Sequence, residues 1–453
     1  MQISGRLEIY QCLRKTSSIP IIIILTALCF SSCRVQRTSN REQPDYKSLI
    51  ENSLVFNQYF MGFSLYDPEN DSTLYAYNAE KYFVPASNTK LFTFYTSLRI
   101  LGDSVPSLRY SIRNDSLIFK GTGDPSFLYP EFQRHSTYEF LKNRPEKLFY
   151  TVPVYVEQPY GPGWSWDDFR FTYSSEKAPF PIYGNYIQFI FKPLQLTPVV
   201  KPSFFKDYLS ENPLAEIRAG AVQREFTGNI FTFRSRIDTR EDTVKVPFKY
   251  SDELFVKLLS DTLHQEVTWL PSFEGQFDKI FFGFPTDSLY KQLMWESDNF
   301  IAEQLLLLCS SILFDSLNSK RAIRYAQENY FSAIIDKPKW VDGSGLSRYN
   351  LFTPRSMVQI LNELYMLIPE DKLFYLLPAG GTSGTLKEWY KSSIPYIFAK
   401  TGSMSNVHCL SGFIITSSGK RLIFSFMHNN FTTSSSVVKY EMEKVLRQIH
   451  QQF

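Results

Sequence analysis

The spacing of hydrophobic and polar positions changes several times along the chain. Residues 61–67 and 72–77 alternate on either side of Pro68-Glu69-Asn70-Asp71, which predicts two strands joined by a turn. From Thr89 onward, Leu91, Phe94, Tyr95, Leu98 and Leu101 recur at helical spacing, so a helix is predicted over about 87–101. Residues 109–275 have another character. They are rich in Tyr, Phe and Pro, and stretches such as 186–191 and 229–233 alternate, which predicts a mainly β insertion. Residues 300–308 then read as a strongly apolar helix. Two apolar runs, 407–415 and 421–427, flank the turn signal at 416–420, and an amphipathic helix is predicted over 437–449. No repeat of 20–50 residues is present.

Composition narrows the class. A chain of 453 residues with 43% hydrophobic content holds more than one core needs, so two or three domains are expected. With 48 basic and 45 acidic residues the net charge is +3, which excludes nucleic-acid binding through bulk charge. An aromatic content of 16% excludes a disordered chain. Five cysteines, at 12, 29, 33, 309 and 409, make neither a disulfide scaffold nor a zinc-ligand spacing. Sequence leaves open whether Cys309 and Cys409 pair.

One apolar run, residues 19–30, approaches membrane length. Its 12 residues are too few to span a hydrocarbon core of ~30 Å, so a polytopic membrane protein is excluded. Arg6, Arg14 and Lys15 precede it, and Ser31, Ser32 and Cys33 follow it, as in a secretory signal. The order resembles the lipobox of bacterial lipoproteins, in which the cysteine is lipidated, with Phe30 where Leu is usual. The expectation is a signal peptide over 1–33, a lipidation site at Cys33, a polar linker over 34–50, and an exported, periplasmic protein held to a membrane by its lipid.

Three short motifs carry the candidate chemistry. Ser87-Asn88-Thr89-Lys90 is S-x-x-K, Ser297-Asp298-Asn299 is S-D-N, and Lys400-Thr401-Gly402 is K-T-G. Average usage produces on the order of one or two S-x-x-K by chance in this length, so the first means little alone. The ordered triple is the motif set of penicillin-binding proteins and class A β-lactamases. Taken singly, Ser87 reads as a helix cap, Ser297 as a cap of the next helix and Lys400 as an edge-strand lysine. Taken together, they read as chemistry. Residues i and i+3 share a helix face, so Lys90 lies beside Ser87. A serine hydroxyl needs an adjacent base, and a lysine serves when burial and positive neighbours, such as Lys400, hold it neutral. The histidines, at 135, 264, 408, 428 and 450, form no H-E-x-x-H, and no Gly-x-Ser-x-Gly surrounds Ser87. His408 therefore reads as a packed strand histidine. Trp164 and Trp166 read as core. No P-loop or dinucleotide-binding glycine pattern occurs.

At this point the chain resembles the D-alanyl-D-alanine carboxypeptidase/endopeptidase family, the class C low-molecular-mass penicillin-binding proteins. The likeness rests on Pro85-Ala86-Ser87-Asn88-Thr89-Lys90-Leu91, on Gly121-Thr122-Gly123-Asp124-Pro125 (with Thr122 a departure from G-G-G-D-P), on Gly163-Trp164-Ser165-Trp166-Asp167-Asp168 with Tyr183-Gly184-Asn185, on Asp342-Gly343-Ser344-Gly345-Leu346-Ser347-Arg348, on Gly384-Thr385-Leu386, and on Lys400-Thr401-Gly402-Ser403.

The resemblance implies an α/β (α+β) penicillin-recognising, transpeptidase/β-lactamase-like fold, an antiparallel sheet flanked by helices. A catalytic domain over 51–108 plus 276–453 is expected, interrupted by inserted β domains over 109–275. It also implies a serine peptidase acting on the D-Ala–D-Ala bond of peptidoglycan stem peptides. In that scheme Lys90 takes the proton of Ser87, and Ser87 is acylated. Ser297 passes a proton to the leaving amine, Asn299 orients the substrate amide, and the backbone N–H groups of Ser87 and Ser403 hold the oxyanion. Lys400, Thr401 and Ser403 bind the terminal carboxylate, with Gly402 between them. β-Lactams are implied as covalent inhibitors, and no metal or cofactor is called for. A wall-binding protein that has lost activity and a β-lactamase or esterase on the same fold are the competing classes. The intact motifs disfavour the first, and sustained nitrocefin turnover would mark the second.

Overall fold

A five-stranded antiparallel sheet runs Ile397–Met404, Val407–Ile415, Arg421–Asn429, Phe60–Asp67, Ser72–Tyr77. Its middle strands are buried on both faces. Along Val407–Ile415, Cys409 and Phe413 enter one core while Leu410 and Ile414 enter another; along Arg421–Asn429, Ile423 and Met427 oppose Leu422, Phe424 and Phe426. Period-two alternation between two apolar layers explains why these strands read as unbroken hydrophobic runs.

The first layer packs the helices Lys90–Ile100, Asn299–Phe314 and Pro354–Leu367 on the sheet, with Leu91, Phe92, Ile301, Leu305, Met357 and Ile360 fully buried. The second layer is the C-terminal helix Ser435–Gln452 together with the short helix Tyr46–Glu51. Tyr46 and Ile50 are buried there, so the polar linker ends before residue 46 and not at 50.

This computed structural model describes residues 45–453 except 219, 237 and 238. The signal over 1–33, Cys33 and most of the linker lie outside the described residues. Everything described belongs to one compact unit.

The inserted segment has a core of its own, from Leu108 to Val267. Its main sheet is mixed. Val267–Trp269, Lys147–Tyr150 and Ser116–Gly121 run parallel, and Ser104–Arg113 and Lys279–Pro285 complete it antiparallel. The sheet therefore begins at Ser104 and ends at Pro285, outside the expected 109–275 at both ends. Two three-stranded sheets and the helices Ser136–Lys142 and Asp252–Leu263 complete the segment. Gln304, on the helix that follows S-D-N, fastens it by donating to the carbonyls of Gly123 and Ala178, both at 2.9 Å.

Trp166 is exposed, with its ring edge-to-face against Phe226, so it is not core. Trp164 is half-buried and donates to Asp342. Cys309 and Cys409 are both buried free thiols and do not pair.

Candidate active site

Ser87 lies in a 3-10 turn, Ala86–Thr89, that leads into the helix Lys90–Ile100. Ala86 holds a left-handed backbone at φ +47°, a conformation that costs a non-glycine residue about 1–2 kcal/mol. Two glycines show what holds the turn there. A Cβ on Gly345 would fall 1.9 Å from the Ala86 carbonyl oxygen, and one on Gly402 would fall 2.5 Å from that of Pro85 and 2.9 Å from the Ser87 nitrogen. The D-G-S-G loop and the K-T-G strand thus clamp the serine turn backbone against backbone. Asn88 adds a bond from Nδ2 to the Lys400 carbonyl at 2.8 Å.

Lys90 is fully buried. Its Nζ donates to Ser87 Oγ at 2.8 Å, Asn299 Oδ1 at 2.7 Å and the Ser344 carbonyl at 2.7 Å. Burial pushes its pKa down to about 8, against the opposing pull of Asp342, Asp298 and Glu303. Lys400 is buried too. Its Nζ donates to Ser297 Oγ and to the Thr401 carbonyl, both at 2.8 Å. Burial first, and the charge of Lys90 second, hold Lys400 well below an ordinary lysine. Repulsion between the two ammonium groups disfavours charging both at once, on top of the desolvation that each undergoes.

The S-D-N segment divides its work by residue. Ser297 sits at φ +58°, just before the helix Asn299–Phe314. The helix is capped by Asp298, which accepts from the Ile301 N–H at 3.0 Å and from the Tyr129 hydroxyl. Asn299 bridges Lys90 to the inserted segment through Nδ2 to the Tyr173 carbonyl at 3.0 Å.

Strand register sorts the K-T-G-S side chains. Thr401 faces Leu410 and Ser403 faces His408 across the ladder, while Lys400 faces Ser411. Side chains alternate along a strand, so Lys400 points toward the Ser87 side and Thr401 and Ser403 share the other face. Thr401 Oγ1 donates to Thr385 Oγ1 of the Gly384-Thr385-Leu386 turn at 2.7 Å. Ser87, Ser297, Thr401 and Ser403 line one cavity of about 390 Å³. A second, of about 370 Å³, opens from Ser87 toward Asp168, Tyr173, Asn299 and Arg348.

Three features go beyond the sequence reading, which placed Asp342 and its loop among the surroundings of the site without its partners. His408 is a buried strand histidine, as expected, but its Nδ1 lies 2.8 Å from Ser403 Oγ. Asp342 is the hub of its loop, accepting from the Gly345 and Ser347 N–H groups, Asn350 Nδ2 and Trp164 Nε1. Lys439, from the C-terminal helix, reaches the first cavity. Only the first two carried a local signal, in their places on the K-T-G hairpin and in the D-G-S-G loop.

Two serine–lysine pairs meeting at one cleft, on an antiparallel sheet flanked by helices, define an active-site serine protein of the penicillin-recognising fold. The chain belongs to the D-Ala-D-Ala carboxypeptidase 3 (S13) family, whose model matches residues 49–272 and 283–452. It is therefore an enzyme of the serine-type carboxypeptidase class. It is 24% identical over 431 residues to penicillin-sensitive carboxypeptidase A of Dictyostelium discoideum, covering 81% of this chain and 82% of that one. It is 23% identical over 430 residues to D-alanyl-D-alanine carboxypeptidase DacB of Haemophilus influenzae, covering 82% of this chain and 86% of that one. The crystal structure of penicillin binding protein 4 (dacB) from Haemophilus influenzae superposes with a TM-score of 0.69 at 20% identity, over 90% of this chain and 100% of that one, and so shares its fold.

Proposed function

We propose that Ser87 is the nucleophile of a D-Ala–D-Ala carboxypeptidase and endopeptidase that acts on peptidoglycan stem peptides. The meeting of the Ser87–Lys90 and Ser297–Lys400 pairs, each at 2.8 Å, carries this reading. Neutral Lys90 takes the Ser87 proton as Oγ bonds to the D-alanyl carbonyl carbon. The backbone N–H groups of Ser87 and Ser403 hold the oxyanion. The C–N bond breaks, and Ser297 passes a proton to the leaving amine, with Lys400 replenishing it. Thr401 and Ser403 bind the carboxylate of the leaving residue, and Gly402 lets their strand approach. Water then attacks the ester and gives its proton through Ser297 to Lys400, and Ser87 Oγ leaves with the proton that Lys90 took, so both lysines return to their starting states.

Asn299 does two things in this scheme. Its Oδ1 places Lys90, and its Nδ2 faces the cleft rim beside Tyr173. β-Lactams are covalent inhibitors on this reading, because their strained amide acylates the same hydroxyl. The Dictyostelium relative is named a penicillin-sensitive carboxypeptidase, which supports this. Export and lipid anchoring at Cys33 belong to the same reading and rest on the N-terminal residues. Incorporation of a labelled fatty acid, abolished by Cys33→Ala, tests them.

The catalytic reading is tested with a fluorescent penicillin on wild type and Ser87→Ala, followed by a denaturing gel. A band in wild type that vanishes in the variant is expected, with D-alanine released from stem pentapeptide. A folded wild type that neither labels nor hydrolyses the penicillin would overturn it.

A further inference from the structure

The face of the sheet that carries Thr401, Ser403, His408 and Leu410 is covered by the C-terminal helix Ser435–Gln452. Between them lies the cavity of about 390 Å³ that opens from Ser87. Leu386, Leu410, Trp389 and Tyr390 form its apolar wall, and no carboxylate lines it. A methyl group, near a water's share of ~30 Å³, fills a small fraction of that space.

Lys439 is the cation of this lining. It is half-buried, and its ammonium stands 5.6 Å from the centre of the Trp389 ring. Among the described residues it makes no ion pair and no hydrogen bond, and burial holds its pKa below that of an ordinary lysine. An ammonium partly withdrawn from water and left without a counter-charge favours an incoming anion. His408 stands next to it, bonded through Nδ1 to Ser403. Burial first, and Lys439 second, push its pKa down to about 3, so at neutral pH it is uncharged and adds no competing charge.

The cavity lies on the leaving side of the reacting bond. Ser403 and Thr401, which line it, are the residues that take the leaving residue's α-carboxylate in the mechanism above. The apolar wall and Lys439 line the same cavity as Thr401 and Ser403, where a side chain on that residue would find room. We propose that this cavity is a leaving-residue subsite for an aliphatic side chain bearing its own acidic group, which Lys439 binds. Resting on the acyl-transfer reading, this makes bonds to such a residue better substrates than D-Ala–D-Ala itself.

The test uses the whole enzyme and blocked peptides ending in D-Ala–D-Ala, D-Ala–D-norleucine and D-Ala–D-α-aminoadipate. The last two have side chains of similar length and differ in a terminal methyl or carboxylate. Wild type is expected to favour aminoadipate over norleucine by about tenfold in kcat/KM, as one charge-assisted contact provides. In Lys439→Met the ratio should fall to near one. In Lys439→Glu it should reverse, with D-Ala–D-lysine becoming the better substrate, which a merely misfolded variant cannot do. A wild-type ratio near one, or a ratio that survives Lys439→Met, would overturn the subsite while D-Ala–D-Ala cleavage and penicillin labelling left the peptidase standing. If no peptide is cleaved and no penicillin binds, the peptidase reading falls and the subsite with it.

Discussion

Lys90 Nζ lies 2.8 Å from Ser87 Oγ, and its other two hydrogen bonds go to neutral oxygens, Asn299 Oδ1 and the Ser344 carbonyl. No carboxylate touches the ammonium, so desolvation outweighs the three acidic groups farther off and its pKa falls to about 8. A lysine in that position gives up its proton near neutrality, as a base for Ser87 must.

The acylation rate should therefore rise with pH along a limb centred near 8 and level off above it, because only the neutral amine accepts the serine proton. Asn299→Asp puts a carboxylate where Oδ1 now stands, 2.7 Å from Nζ. An opposite charge at that range favours the charged amine, and the limb should move up by about 1–3 pH units. The second-order rate of penicillin acylation against pH measures this. A limb that stays put in the variant would remove Lys90 from the base role.

Lys400 shares a proton network with Ser297 rather than holding an ion pair. Lys400→Arg keeps the charge but cannot shed it and does not fit a point-charge site. D-Alanine release is expected to drop by about 10²–10⁴-fold, the usual worth of a positioned proton-transfer group. Near-normal release in this variant would mean that Lys400 acts through charge alone.

Gly345→Ala tests the clamp on the serine turn. The position holds φ +81°, and a Cβ would land 1.9 Å from the Ala86 oxygen. The left-handed backbone alone costs an alanine about 1–2 kcal/mol, and relieving the overlap must move one loop or the other. A lowered urea midpoint together with slower penicillin acylation is expected. Loss of stability with full acylation would show that the loop yields and the serine turn does not.

Glu303 is buried, with one oxygen accepting from the Ser344 N–H at 2.8 Å and the other without a hydrogen-bond partner among the described residues. Burial, with Asp342 adding to it, pushes its pKa up to about 7 from 4.5. The unfolded chain ionises above about 4.5 while the folded one resists until 7. The group costs nothing below pH 4.5, and its penalty grows up to about pH 7 and stays. Glu303→Gln keeps an acceptor for Ser344. It should stabilise the fold at pH 8 by on the order of 1–3 kcal/mol and leave it unchanged at pH 4.5. Denaturation midpoints at the two pH values decide this, and equal effects at both would contradict it.

Local chemistry along the chain determines much about this protein. Alternation of 407–415 and 421–427 around a turn specifies a hairpin, and the S-x-x-K spacing sets Lys90 one helical turn from Ser87, because both depend on neighbours a few residues apart. The motif order likewise marked Ser297, Asn299 and Lys400 as partners. Tertiary structure decided the rest. Burial lowers the pKa of Lys90, and burial is a sum over distant segments: the D-G-S-G loop and the S-D-N helix both converge on its nitrogen. Lys439 belongs to an amphipathic helix whose sequence looks like any solvated face, and only the packing of that helix over Thr401 and Ser403 brings its charge to the cleft. The same holds at residues 46–50, which read as linker by composition yet fold because the C-terminal helix offers Tyr46 and Ile50 an apolar surface. Spacing along a chain determines which side chains share a face; which faces meet is determined by the free energy of covering them.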